Sequence, residues 1–133
     1  MNISTVRGRN RENHGVEDKI RESEVLRQVE EWLTLHRVWH MRCNNAAGKA
    51  QSGQFMRSFT YNGHAVNGVS DIYAVKDGVS IWIECKRPSG GKLSDAQKNF
   101  LDAMNRNGAV GIVVNGIESL ESQLKEAGLK ICI

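Results

Sequence analysis

The dipeptide Asp77-Gly78 separates two runs of β-prone residues, 71–76 and 79–86. Asp-Gly favours the two-residue turn of a β-hairpin, because both central positions of that turn need a positive φ. If residues 77 and 78 form the turn, the residue numbers of every opposed pair add to 155. This register predicts that Asp71 lies directly opposite Glu84.

The same register divides the hairpin into two faces. One face collects apolar residues and predicts a core surface: Ile72, Ala74, Val79, Ile81, Ile83 and Cys85. The other face pairs Tyr73 with Trp82, a favourable cross-strand aromatic contact, and carries Glu84 and Lys86 two residues apart. The chemistry of the chain is therefore expected on the second face.

Hydrophobic periodicity predicts the elements around the hairpin. Apolar residues at Val25, Val29, Trp32 and Leu33 form one stripe of a helix. The predicted elements are a helix over 16–36, a short strand over 55–60, the hairpin, a helix over 94–107 ended by Gly108, a strand over 109–114, a helix over 117–127 and a last strand over 129–133. This order predicts an α/β sandwich with a mixed central sheet, since strand-helix-strand connections make parallel neighbours.

Length and composition limit the chain to one soluble domain. The 133 residues, 40% of them hydrophobic, suffice for one core without a disulfide or a structural metal. Residues 1–15 lack periodicity and predict a flexible polar arm before a single domain at 16–133. No stretch predicts a membrane span or an export signal, and the three cysteines form no CxxC pair, so we expect reduced thiols and a cytosolic protein.

The net charge of +3 is concentrated in one segment. Residues 41–60 contain Arg42, Lys49 and Arg57 and no acid, whereas acidic and basic residues balance elsewhere. With Asn44 and two glycines, this segment predicts a basic loop suited to the phosphates of a polyanion. A solvated loop with three unrelated cations is the alternative.

Two opposed carboxylates require compensation, because like charges directly across a hairpin repel each other. A raised pKa, a neighbouring cation or a bound divalent metal can supply it. Lys86 offers one positive charge against two negative ones, so the pair can still accept Mg²⁺. The alternative is an ordinary surface hairpin with a weak diagonal pair between Glu84 and Lys86.

A third carboxylate, Glu22, falls within the apolar stripe of the first helix, whereas Glu24 lies nearly opposite it. An acid on the buried side of a helix needs a reason. Either Glu22 joins the hairpin acids, or it lies near the helix start, where a negative charge suits the helix dipole.

The whole pattern resembles the PD-(D/E)xK nuclease superfamily and, within it, the VRR-NUC family of virus-type replication-repair nucleases, especially phage-encoded members that stand alone. The resemblance runs from Glu22 to Val114 and is carried by Asp71, by the run Glu84-Cys85-Lys86-Arg87-Pro88 and by Gly91-Lys92-Leu93-Ser94 with Gln97. Ser70 departs from the proline in the superfamily's name, a position that donates no essential group. The resemblance implies a restriction-endonuclease-like three-layer sandwich with a mixed central β-sheet flanked by helices.

The resemblance also implies roles for the site residues. Asp71 and Glu84, with the main-chain carbonyl of Cys85, would hold Mg²⁺ or Mn²⁺, and Lys86 would orient or deprotonate the attacking water. The family's helical glutamate corresponds to Glu22 or Glu24, and the helical phase favours Glu22.

Gln97 has two interpretations. The family's glutamine after the third motif falls on it, but Ser94-Asp95-Ala96-Gln97 is also a capping box, in which Ser94 and Gln97 bond each other's backbone. His36, His40 and Cys43 form a conceivable zinc trio, but a fourth ligand is missing and solvated histidines are favoured.

The implied activity is that of a metal-dependent DNA endonuclease that selects DNA by structure, through nicking, flap or Holliday-junction cleavage, without an organic cofactor. Contacts to the DNA backbone are expected from Arg42, Asn44, Lys49, Arg57, His64, Arg87 and Lys92. Cutting both strands of a branched or supercoiled duplex needs two sites, which predicts a homodimer in the cytoplasm of a bacterial host. The alternatives are a non-catalytic DNA-binding module of a phage replication or repair complex and a sequence-specific restriction enzyme.

Overall fold

The computed structural model describes residues 20–43 and 59–131, and the predicted arm, most of the basic loop and Cys132 lie outside these ranges. The helices are α1 (Glu22–Leu35), α2 (Asp95–Arg106) and α3 (Ile117–Glu126). The strands are β1 (Trp39–Arg42), β2 (Thr60–Tyr61), β3 (His64–Ala65), β4 (Ile72–Lys76), β5 (Val79–Cys85) and β6 (Val110–Val114). Across the described residues, no helix has both the length and the apolar character needed to cross a bilayer.

The predicted hairpin is confirmed in its turn and its register. Asp77 and Gly78 have φ angles of 50° and 78°, as a two-residue hairpin turn requires. β4 and β5 are antiparallel, and Tyr73 opposes Trp82 with ring centroids 4.6 Å apart. The last residue pair of the ladder is Ile72 with Ile83, so the next step of this register brings Asp71 alongside Glu84.

The hairpin forms the centre of a four-stranded sheet with the order β1-β4-β5-β6. β1 pairs antiparallel with β4, whereas β6 pairs parallel with β5 after the chain crosses over through α2. The chain is thus an α/β fold with a mixed central sheet, as predicted. β2 and β3 form a separate two-stranded hairpin just before the residues that lead into β4.

The main core lies between the sheet and two helices. The predicted stripe of α1, with Leu120 and Leu124 of α3, packs against the apolar face of the hairpin, where Ile72, Ile81 and Ile83 are fully buried. α2 lies on the opposite face, where Phe100 packs edge-on against Trp82 with centroids 5.0 Å apart. Cys43 and Cys85 are free and buried, in agreement with reduced thiols.

Two predicted boundaries were wrong. The first helix begins at Glu22, because Arg21 has extended backbone angles (φ −79°, ψ 154°) and the preceding Ile20 is exposed and not helical; the predicted start over 16–19 lies outside the described residues. The predicted last strand is absent over 129–131, because the N–H of Leu129 donates to the carbonyl of Leu124 and ends α3 instead of joining the sheet.

Two short strands and the packing of α2 add detail to the predicted elements. The predicted strand over 55–60 corresponds to β2 only at Thr60, and residues 55–58 lie outside the described ranges. β1 was not predicted, although Trp39-His40-Met41-Arg42 alternates apolar and polar residues as a strand does. In α2, the residues that face the sheet are half-buried (Ala96, Phe100, Ala103 and Met104), and the deepest residue is Leu101.

Candidate functional site

Three carboxylates meet at one edge of the central sheet. Asp71 lies one residue before β4, Glu84 is the penultimate residue of β5, and Glu22 is the first residue of α1. One carboxylate oxygen from each lies within 4.8 Å of the others, the only such group of potential metal ligands in the described ranges. Elements that are remote in sequence therefore converge on one acidic cluster.

Glu84 is the buried member of this cluster, with only 1% of its surface exposed. Its Oε1 accepts a 2.8 Å hydrogen bond from Gln97 Nε2 and lies 3.6 Å from the Lys86 ammonium. Its Oε2 is buried without a hydrogen-bond partner. A buried carboxylate oxygen without a donor is costly, so this atom is a strong candidate to bind a cation.

Burial raises the pKa of Glu84 to about 8. The negative charge of Asp71 contributes to this rise, and the ammonium of Lys86 opposes it. The metal-free site therefore holds a proton near neutral pH, and a divalent cation would have to displace it.

Asp71 is fixed by the backbone around it. Its Oδ2 accepts a 2.8 Å hydrogen bond from the N–H of Cys85, and its carbonyl accepts a 2.7 Å bond from the N–H of Cys43, just beyond β1. Both bonds hold the start of β4 between its two neighbouring strands. Ser70 precedes it, fully buried, and its Oγ lacks a hydrogen-bond partner.

Cys85 contributes its main chain to the site and its side chain to the core. The thiol is fully buried on the apolar face, and burial, with a further contribution from the Asp71 charge, raises its pKa. A protonated thiol is a poor metal ligand. The predicted contribution of the Cys85 carbonyl stays a prediction.

Gln97 completes the predicted capping box and also contacts the acidic cluster, whereas its catalytic role stays a prediction. Ser94 Oγ accepts the Gln97 N–H at 3.2 Å, and Gln97 Oε1 accepts the Ser94 N–H at 3.0 Å, which completes the capping box of α2. The amide nitrogen of the same side chain donates to Glu84. The helix cap thus aims the Gln97 donor at the buried acid.

A glycine brings this helix end and the Asp71 loop into direct contact. Gly68 has a φ of +77°, and a Cβ there would lie 2.2 Å from the carbonyl carbon of Ala96. Only a residue without a side chain allows the backbone to approach α2 so closely. Gly68 therefore determines how near Gln97 comes to the strand acids.

Glu22 and Glu24 are separated as the helical phase predicts. Glu22 joins the acidic cluster, whereas Glu24 lies in a surface ion pair with Arg27, 3.1 Å away. Glu31 also binds Arg27 on that exposed side of α1.

A basic cleft of about 360 Å³ adjoins the acids. We define it by its lining residues, which carry four cations and one acid: Arg21, Glu22, Lys86, Arg87, Gly90, Gly91 and Lys92. The Gly90-Gly91 turn folds tightly onto the strand end, since a Cβ at Gly91 would lie 2.8 Å from the Arg87 carbonyl oxygen. The cleft thus presents positive charge beside the carboxylates and suits a phosphate group.

The other predicted DNA contacts divide into three groups. Arg87 and Lys92 line the basic cleft. Arg42 is exposed at the end of β1 next to Ile72, and His64 is exposed on the separate hairpin. Asn44, Lys49 and Arg57 lie outside the described residues.

The zinc trio receives no support. His36 Nδ1 lies 2.7 Å from the carbonyl of Trp32, and His40 Nδ1 lies 2.9 Å from that of Val38. These contacts occupy one ring nitrogen of each histidine.

Sequence reasoning missed two features near the site. Arg21 lines the basic cleft, and its signal was its position directly before Glu22 at a helix start. Strand β1 places Trp39 and Met41 on the sheet, and its signal was the alternation of apolar and polar residues.

Comparison with models of protein families, with curated proteins and with solved structures gives no match to this chain.

Proposed function

We propose that this protein is a metal-dependent DNA endonuclease that hydrolyses phosphodiester bonds and selects its substrate by structure. The observation that carries the proposal is the unpartnered, buried Oε2 of Glu84 within a cluster of three carboxylates, beside the half-buried Lys86. Such a constellation next to a basic cleft combines groups for a cation, for a proton transfer and for a phosphate.

The donor set fits Mg²⁺ or Mn²⁺, which prefer carboxylate oxygens to nitrogen or sulfur. Asp71, Glu84 and Glu22 would hold the ion, joined by the carbonyl of Cys85. A bound ion of this kind supplies neutralisation of phosphate charge and activation of water at neutral pH.

The chain's own residues have distinct tasks in this proposal. The ammonium of Lys86 orients the attacking water and stabilises the negative charge that develops on the phosphate. Gln97 fixes the rotamer of Glu84, so that Oε1 stays occupied and Oε2 stays free. The basic cleft holds the neighbouring phosphates of the DNA strand and positions the scissile one without reading sequence.

The fold supports the same proposal at a coarser level. A mixed sheet with α1 and α3 on one face and α2 on the other agrees with the restriction-endonuclease-like sandwich that the sequence resemblance implies. We further propose that the protein acts as a homodimer, because cleavage of both strands at a branch needs two sites.

A non-catalytic DNA-binding module is the second candidate function, favoured by the positive charge of the basic cleft. A binding module would need the cations of the basic cleft to bind DNA, but it would not need the carboxylates. DNA binding without cleavage therefore distinguishes it from a nuclease.

The deciding experiment incubates supercoiled plasmid with the protein and Mg²⁺ or Mn²⁺, with EDTA as the blank. Glu22→Gln and Glu24→Gln form a matched pair, since each removes one carboxylate from the same helix turn. We expect nicking by the parent and by Glu24→Gln, and a loss of at least about 100-fold for Glu22→Gln and Glu84→Gln. Equal cleavage by all four proteins would refute this site, and DNA binding without cleavage by any of them would favour the binding module.

A further inference from the structure

The edge strand β1 exposes apolar side chains on one face only. Trp39 is 61% exposed and Met41 is 41% exposed. They lie directly opposite Val75 and Tyr73 of β4, so all four point to the same side of the sheet. Trp82 of β5 opposes Tyr73 and therefore lies on this side as well. We call the three aromatic residues on this side, together with the neighbouring Met41, the aromatic face: Trp39, Met41, Tyr73 and Trp82.

The aromatic face is the same side of the sheet that carries the candidate catalytic acids. Tyr73 lies two residues after Asp71, and Trp82 lies two residues before Glu84, so the alternation of the strands puts them on one side. The Trp39 and Tyr73 rings meet edge-on at 6.4 Å. Aromatic rings thus extend from the acidic cluster to the exposed edge of the sheet.

Helix α2 covers only part of this side. It packs on β5 and β6, with Phe100 against Trp82. Among the described elements, α2 makes no packing contact with β1 or β4. Within the described residues, α2 therefore leaves the outer half of the aromatic face, around Trp39 and Met41, uncovered.

The exposed part of Trp39 is a single flat ring, which by itself is far smaller than a protein interface. With 61% of a side chain of at most about 250 Å², Trp39 offers roughly 150 Å². A stable dimer buries about 800 Å² on each partner. A flat ring of this size is instead a suitable platform for one nucleobase, because every base has a π-face and stacks without sequence preference.

We propose that the aromatic face stacks unpaired bases of a single-stranded DNA segment that leads into the candidate active site. This inference rests on the proposed nuclease function and specifies its substrate class as DNA with unpaired bases beside the cleavage point. Trp39 opposes Val75, four residues beyond Asp71, which corresponds to about 13 Å along the strand.

The test measures binding by fluorescence anisotropy in EDTA, so that cleavage is not required. The probes are a 12-nucleotide oligothymidylate and an abasic oligomer with the same number of phosphates, which separates stacking from charge attraction. We expect the full chain to bind oligothymidylate about 5- to 150-fold more tightly than the abasic oligomer.

Trp39→Ala should lose most of this preference, and Trp39→Phe should retain most of it. Leu35→Ala is the matched control, because Leu35 is 74% exposed on α1 and lies away from the aromatic face. Trp39 is largely exposed, so the alanine variant is expected to fold, which circular dichroism checks.

Equal affinity of the parent for both oligomers would overturn the proposal, as would an unchanged preference in Trp39→Ala. A drop in molar mass of Trp39→Ala by light scattering would also overturn it, since the face would then bind a second copy. The two proposals can fail separately. A preference for bases without plasmid cleavage would refute the nuclease proposal but not base stacking. Plasmid cleavage without a preference for bases would refute base stacking but not the nuclease proposal.

Discussion

Replacing Glu84 by Gln is expected to stabilise the metal-free protein at neutral and alkaline pH while it abolishes cleavage. The reason is the buried charge. The folded chain raises the pKa of Glu84 from 4.5 to about 8, chiefly by burial. The folded state therefore binds this proton more tightly than the unfolded state does, and the free energy of unfolding falls as the pH rises between these two values.

The magnitude follows from the size of the shift. Each pKa unit corresponds to about 1.4 kcal/mol, so a carboxyl that shifts from 4.5 to about 8 loses about 4 to 5 kcal/mol of stability across that window. The glutamine variant keeps a carbonyl oxygen to accept the Gln97 amide but has no charge to bury. Its stability relative to the parent should thus increase by about 1.4 kcal/mol per pH unit from pH 5 to pH 7.5 and level off above pH 8.

Urea denaturation in EDTA at four pH values between 5 and 9 measures this difference. Glu126→Gln is the control, because it removes an exposed carboxylate far from the acidic cluster. Addition of Mg²⁺ at 100 times its dissociation constant should stabilise the parent by about 2.7 kcal/mol and leave Glu84→Gln unchanged. A difference between parent and variant that stays constant with pH would refute the reasoning, since Glu84 would then not be protonated in the fold.

Three further outcomes follow from the geometry. Gln97→Glu keeps an oxygen that can cap α2 but replaces the amide donor by a second acid 2.8 Å from Glu84, so cleavage should fall about 10- to 100-fold while circular dichroism shows that α2 is retained. Lys86→Gln should lower cleavage about 100- to 10,000-fold in the plasmid assay with Mg²⁺, and an unchanged rate would remove it from the chemistry. Gly68→Ala should cost about 2–5 kcal/mol in urea denaturation, because the new Cβ meets backbone at 2.2 Å, whereas Gly63→Ala, with a similar φ and nothing within 4 Å, should cost only about 1–2 kcal/mol. Equal costs for the two alanine variants would contradict the close-contact argument.

Short-range patterns predicted the centre of the fold well. The Asp77-Gly78 turn determined the register of β4 and β5, because a two-residue loop leaves only one pairing that keeps the apolar side chains on one face. The helical phase separated Glu22 from Glu24, because two residues along a helix correspond to a rotation of about 200°, which places the two side chains on nearly opposite sides. Both results depend only on neighbours along the chain.

Boundaries and edges were harder to predict. Strand β1 has only four residues and follows closely after α1, so its alternation of apolar and polar residues was too short to predict a strand. The predicted last strand begins at residue 129, but Gly128 (φ +79°) closes a helix cap in which the Leu129 N–H donates to the Leu124 carbonyl at the end of α3.

The sequence by itself determined which side chains can meet within the hairpin and along α1, because turn geometry and periodicity act over a few residues. Only the tertiary structure decided that Glu84 keeps one oxygen free, that Gln97 caps a helix and holds an acid at once, and that Trp39 shares a face with the acidic cluster. These features depend on the distances between elements that are remote in sequence, such as a helix end, a glycine turn and an edge strand. Such distances are set by packing across the whole domain, to which each short segment contributes only a part.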